Sequence, residues 1–217
     1  MRILTEPSYE IIAPTLESPL DGLAELERIE DAARTCYKSE HAIAPGSAER
    51  IVRSLIANGH ESMLEHGYMT VRFITDRGVT HELVRHRLGS YAQESTRYCN
   101  YAGAKFGKEI TVIQPIGIKT GTAAYEDWKN SCYMAEDAYM KLLALDIPPQ
   151  IARSILPTCV KAELVLTANW REWRHIFRLR TAKDAHPEMR RVLCPLLREV
   201  KELIPVLFDD ILEEETK

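Results

Sequence analysis

Between Arg85 and Tyr98 the chain reads RHRLGSYAQESTRY. Arg85, His86, Arg87 and Arg97 stand there among Ser90, Gln93, Ser95 and Thr96. Adjacent like charges repel and resist burial unless an anion compensates them. Guanidinium forks and hydroxyls suit phosphate oxygens. The segment reads as a site for a phosphate and a polar heterocycle or, on charge alone, as a solvated basic turn. A second basic stretch, Arg171 to Arg191, holds seven Lys or Arg against three Asp or Glu. Arg171, His175 and Arg178 share one helix face at i, i+4 and i+7. Trp173 and Phe177 lie opposite. A cationic face over an aromatic core suits a diphosphate ligand; the alternative is a solvated surface helix. Arg180 leaves that face and phases with Trp173 and Ile176, where burial demands an anionic partner.

Other chemistries are less well supported. Ser95 as a nucleophile needs a base and an orienting third group, and the chain has no G-x-S-x-G elbow. A hydroxyl among arginines is the more natural phosphate donor. Cys99, just past Arg97, has cations that can lower a thiol pKa, although a structural role suffices. His60, Glu65 and His66 form a possible metal cluster, but the H-E-x-x-H form is absent. The expectation is no metal, with these groups orienting a ligand or capping the next element. There is no G-x-G-x-x-G or Walker A signature, so a dinucleotide here is held by other means.

The spacing Arg85-His86-Arg87, seven residues, Ser95 matches the R-H-R-x7-S signature of flavin-dependent thymidylate synthases. The segment from His60 to His66, HESMLEH, resembles that family's GHxSxxEH. Ala152 to Pro157, ARSILP, resembles its ARxxLP. Asn169-Trp170-Arg171 and Leu179-Arg180 resemble its positions near the C-terminus. The likeness runs in order from about Ala33 to Arg190. It implies conversion of dUMP to dTMP, with methylenetetrahydrofolate as carbon donor and NADPH reducing a bound FAD. It also implies a homotetramer whose active sites lie between subunits. By the same resemblance Ser62, Arg85, His86, Arg87, Gln93, Asn169, Arg171 and His175 contact FAD, with Ser62 supplied by a neighbouring subunit. Glu82, Arg85, Gln93, Glu94, Ser95, Thr96, Arg97 and Arg153 line dUMP. Arg180 sits at the pyrimidine edge and stabilises negative charge. Many members carry Gln at the place of Glu82, and a carboxylate cannot donate as an amide does. Gly89 stands where Ala is common, and His175 where some have Asn. His186 resembles a flavin-pocket His, with a shifted spacing from Arg180.

The elements that must position these groups follow from periodicity. Gly22 to Cys36 and Ser47 to Asn58 read as helices, the second capped by Ser47 and ended by Gly59. Tyr68 to Thr75 alternates as a half-buried strand and turns at Asp76-Arg77-Gly78. Val79 to His86 reads as a short helix, and Tyr125 to Leu145 as a long one. Pro148-Pro149 opens another short helix, carrying Arg153. Thr158 to Ala168 alternates as a second strand. Asn169 caps a helix burying Trp170, Trp173 and Phe177, with Glu172 placed to close a capping box. A last helix starts near Pro187 and stops or kinks at Pro205.

These elements predict an α+β fold, a central mostly antiparallel sheet flanked by long helices. With 217 residues and no linker-like stretch, a single domain is expected. The net charge of −4 argues against bulk nucleic-acid binding, though a module using the two basic patches is the alternative function. No apolar run is of membrane-spanning length and the start has no secretory h-region. Five scattered cysteines without a C-x-x-C pair fit reduced thiols in a cytoplasm. The run from Asp209 to Glu215 reads as an acidic, solvated tail.

Overall fold

Period-two burial marks the long strands. Met69, Val71 and Phe73 are fully buried while Arg72 between them is exposed, and Ala162, Leu164 and Leu166 repeat the pattern. A computed structural model describes residues 1–212. Its strands are β1 (Arg2–Leu4), β2 (Ser8–Ala13), β3 (Tyr68–Asp76), β4 (Ser90–Gln93), β5 (Thr111–Ile113) and β6 (Lys161–Asn169). The helices are α1 (Pro19–Tyr37), α2 (Ser47–Ala57), α3 (Arg77–Leu83), α4 (Ala123–Ala144), α5 (Pro149–Ala152), α6 (Trp170–Arg180), α7 (Pro187–Leu203) and α8 (Pro205–Phe208). An antiparallel sheet runs in the order β2-β3-β6-β4, and β1 pairs in parallel with β5, Arg2 opposite Thr111 and Leu4 opposite Ile113. The architecture is α+β. Among the described residues no helix is long and apolar enough to cross a membrane.

The chain divides into two compact units, each built from three segments. The first comprises Met1–Ser8, Phe73–Arg85 and Ala92–Leu164. Its core gathers Tyr101, Ile110, Val112, Cys132, Tyr139 and Ala152, with Trp128, Leu142 and Leu156 packed against them. Asp76 ends β3 and caps α3, its carboxylate accepting from Val79 N at 2.8 Å, so the expected turn is a strand passing directly into a helix. Thr122 caps α4 through Tyr125 N at 3.2 Å. Widely spaced in sequence, Cys132 and Cys159 meet with sulfurs 3.6 Å apart. The neighbouring thiol and burial push Cys132 up in pKa. All five cysteines are free.

The second unit comprises Tyr9–Arg72, His86–Tyr91 and Val165–Lys217. Trp170, Trp173 and Phe177 on one face of α6 are fully buried, and Trp170 and Phe177 each meet Phe208 edge-on. The indole N–H groups are satisfied: Trp170 donates to Glu25 at 3.1 Å and Trp173 to the Met69 carbonyl at 2.9 Å. Gly22 of α1 is required by close approach, since a Cβ there would come 2.1 Å from the Leu203 carbonyl oxygen. Gly46, not Ser47, is the N-cap of α2. The Ser47 hydroxyl accepts from Ala44 N and donates to Glu30, tying α2 to α1. Gly59 follows the Asn58 C-cap in the left-handed region, as expected of a helix stop. α7 ends at Leu203, and Pro205 opens α8. The supposed solvated tail begins differently. Asp210 grips the fully buried guanidinium of Arg174 with both carboxylate oxygens, at 2.8 and 2.7 Å. The rest of that acidic run, from residue 213, lies outside the described residues.

Candidate active site

In the second unit, charge and helix geometry set the arrangement around α6. Asn169 caps α6, its Oδ1 accepting from Glu172 N at 2.9 Å. Arg178 and Arg180 occupy the last turn, where cations suit the helix dipole. Ahead of β4 the three residues of the Arg-His-Arg motif alternate, Arg85 and Arg87 exposed and His86 buried. The buried ring meets the end of α6. Arg180 Nε donates to His86 Nε2 at 3.0 Å, and Glu172 Oε1 lies 3.6 Å from Nδ1. His175 sets its ring edge-on to His86, centroids 5.6 Å apart. Burial and the adjacent Arg180 and His175 hold His86 down to a pKa of about 4, so it is neutral at pH 7. Burial raises the pKa of Glu172.

The capping box expected at Glu172 gives way to this arrangement, because its carboxylate turns to the imidazole. His86, expected at the flavin, is only 4 % exposed, and its Nε2 is engaged by Arg180. The cationic face of α6 is also partly neutralised. Arg171 pairs with Glu65 at 2.7 Å, and Arg178 with Asp210 at 3.0 Å and Glu61 at 3.6 Å. The two glutamates of the HESMLEH segment therefore face α6 arginines. Ser62 from that segment is exposed and lines a cavity of about 520 Å³ with Cys36, Tyr37, Leu55, Asn58 and His60. Among the described residues the metal-capable grouping is His86, Glu172 and His175, not His60, Glu65 and His66. The Arg180 guanidinium on His86 opposes a second cation there.

Of the expected nucleotide residues, Arg180 lies in the second unit and the others in the first, Glu82 and Arg85 before β4 and the rest at or after its end. Gln93 donates to Thr80 at 2.8 Å, and Arg153 donates to Thr96 at 3.3 Å. Arg97 donates to Gln150 at 3.1 Å and lies over the Tyr98 ring. Ser95 Oγ accepts from Arg97 N at 3.3 Å, a local turn contact. Glu82 is half-buried in the last turn of α3, and Arg85 N donates to its carbonyl at 3.2 Å. Glu94 was expected at the ligand. Its carboxylate instead takes Lys161 at 2.7 Å and the Tyr101 hydroxyl at 2.9 Å. A carboxylate so engaged anchors the segment while Arg97 and Arg153 stay exposed. Both guanidinium groups keep further N–H donors suited to phosphate.

The sequence reading missed Glu172 in its role beside His86, Lys161, Tyr91 and Arg174. Only Arg174 left a signal: it phases with Trp170 and Phe177, so burial and an anionic partner follow from the helix period.

The family model described as "Thymidylate synthase complementing protein" matches residues 22–206. The chain is 34% identical over 209 residues to a flavin-dependent thymidylate synthase of Mycolicibacterium vanbaalenii, covering 88% of this chain and 80% of that one. The chain belongs to the flavin-dependent thymidylate synthase family. A second relative in that family, from Geobacter sulfurreducens, is 30% identical over 186 residues, covering 82% and 78% of the two chains. The fold is that of the UMP/dUMP methylase PolB from Streptomyces cacaoi, solved with 5-Br dUMP, at a TM-score of 0.77, 23% identity and 96% coverage of both chains. Flavin-dependent thymidylate synthases are flavoprotein methyltransferases; Ser62, Arg87 and His175 are exposed in this chain and carry N–H or O–H donors of the kind that suit phosphate and flavin polar atoms.

Proposed function

We propose that the chain works as one catalytic domain converting dUMP to dTMP, with methylenetetrahydrofolate as carbon donor and NADPH reducing bound FAD. The observation that carries this reading is the contact of Arg180 with the buried, neutral His86 of the Arg-His-Arg motif. It fixes a half-buried positive charge at the end of α6. Aimed at a pyrimidine, that charge stabilises the negative charge that develops as the base is activated. Preorganised electrostatics of this kind are a large catalytic contribution.

FAD, when bound, supplies the hydride that reduces the transferred carbon. Ser62, Arg85, Arg87 and Gln93 hold it, together with Asn169, Arg171 and His175 on or beside α6. His86 serves the same pocket by holding Arg180. For dUMP, Arg97 and Arg153 bind the phosphate with Ser95 and Thr96. Glu82, Arg85 and Gln93 flank the nucleotide, Glu94 braces the loop, and Arg180 meets the base. The enzyme is a cytoplasmic homotetramer with active sites shared between subunits.

The purified protein is expected to show a flavin absorption band that NADPH bleaches. Colourless protein that shifts DNA with a steep salt dependence supports the nucleic-acid-binding alternative instead.

A further inference from the structure

We propose that Glu172 is a positioning residue for Arg180, acting through the ring of His86, which it holds with the proton on Nδ1. The inference deepens the functional reading above, and rests on it for the consequence in turnover.

The argument starts from hydrogen-bond direction. A guanidinium can only donate, so the nitrogen that meets Arg180 Nε at 3.0 Å must be a lone pair. His86 Nε2 is thus the acceptor, and a neutral imidazole then carries its proton on Nδ1. The group facing Nδ1 is the Glu172 carboxylate, at 3.6 Å. That is beyond a good hydrogen bond, but both side chains are buried, at 3% and 7% exposure, and water does not screen the field between them. A negative field at Nδ1 favours the tautomer with the proton there. The opposite tautomer would set an Nε2–H against the Arg180 N–H.

The backbone is fixed by a second device. The Tyr91 hydroxyl donates to the His86 carbonyl at 2.6 Å. Gly89 makes room for this contact, since a Cβ there would lie 2.9 Å from that hydroxyl and 2.7 Å from Leu166 Cδ1. His86 is therefore held at its carbonyl by Tyr91 and at its ring by Glu172 and Arg180. The place of Glu172 is set by the α6 N-cap, which puts it two helical turns before Arg180. One rigid helix thus carries both the charge that acts and the charge that orients the intermediary.

The test compares wild type with Glu172→Leu, which keeps the volume, and Glu172→Gln, which keeps an acceptor. Where the Leu variant does not fold, Glu172→Ala takes its place. The first readout is the His86 tautomer, from 15N-histidine NMR of the flavin-loaded protein. The second is kcat and KM for dUMP at matched flavin occupancy. Wild type and the Gln variant should hold the proton on Nδ1. In the Leu variant only Arg180 still favours that tautomer, so the form with the proton on Nε2, in which the Arg180 contact is broken, should become detectable, and kcat should fall by about 10- to 100-fold, as a misaligned catalytic group does. KM for dUMP should move by no more than about threefold, and the Gln variant should recover most of the turnover. An unchanged tautomer in the Leu variant overturns the proposal, as does wild-type kcat or a Gln variant no faster than Leu. If wild type itself does not methylate dUMP, the functional reading fails, and the tautomer measurement alone decides the role of Glu172.

Discussion

Arg180 Nε donates to His86 Nε2 at 3.0 Å, across 94 residues of sequence. The bond requires a neutral imidazole. Protonation of His86 would remove the acceptor and set a second cation against Arg180.

The pH dependence follows from that requirement. The folded pKa of His86 is about 4, below its ordinary 6.5. Between those values the unfolded chain binds the extra proton, so the stability contributed by neutral His86 is present above about 6.5 and is lost as pH falls toward 4. Its slope is at most about 1.4 kcal/mol per pH unit. Glu172 acts in the opposite sense, because its folded pKa is raised and its ionisation costs stability above the ordinary 4.5. Urea titrations between pH 4 and 7 should show stability rising with pH, and the acid slope should flatten in His86→Asn. An equal slope in the variant would assign the effect to other groups.

Replacing Arg180 with Ala should lower dTMP formation by about 10²- to 10³-fold or more while flavin absorption persists. The charge is lost at the reacting base, whereas the proposed diphosphate contacts stay. Turnover near wild type would remove Arg180 from its assigned role.

Asn169 separates capping from ligand binding. Its Oδ1 caps α6, and its Nδ2 is left as the donor proposed for FAD. Asn169→Ala should cost about 1 kcal/mol of stability and also lose flavin. Asn169→Asp keeps the cap and should still lose flavin, as should Arg87→Ala. Thermal melts with and without added FAD measure both effects. Full flavin occupancy in the Asp and Arg87 variants would contradict the placement.

Asp210 neutralises a guanidinium that is 0% exposed. Asp210→Ala leaves Arg174 paired with the Glu61 carboxylate at 3.4 Å. Breaking a buried pair costs about 3–5 kcal/mol. Asp210 is itself about half exposed, so about 2–3 kcal/mol is expected here. Arg174 and Arg178 also depress the Asp210 pKa. Its contribution is present above the ordinary 3.8 and fades as pH falls through the depressed value. Denaturant unfolding at pH 7 checks the magnitude, and a change under about 0.5 kcal/mol, ordinary for a surface substitution, would show that the pair is not structural.

The parts of the fold that repeat a period were legible. The alternation at Met69, Val71 and Phe73, the aromatic face of α6 and the Asn169 cap follow from local rules, and each recurs in the structure. β4 was not legible: four residues, SYAQ, inside a basic segment give too few alternations. The cationic face of α6 was phased correctly, but its partners were invisible. Glu65 lies 106 residues from Arg171, and Asp210 lies 32 from Arg178. Helix period shows which side a residue takes, not which distant carboxylate meets it. The same limit hid Glu172. Its position three residues after an N-cap fits a capping box, and only the tertiary approach of His86 directs the carboxylate elsewhere. Cys132 and Cys159 met for the same reason, through packing rather than spacing.

The most direct measurement is a turnover assay with dUMP, methylenetetrahydrofolate and NADPH, run with flavin-loaded protein and with protein stripped of FAD. The expected result is dTMP formed with NADPH consumed in the loaded arm and no product in the stripped arm until FAD is restored. dTMP at equal rates in both arms, or none from protein saturated with FAD, would contradict the account.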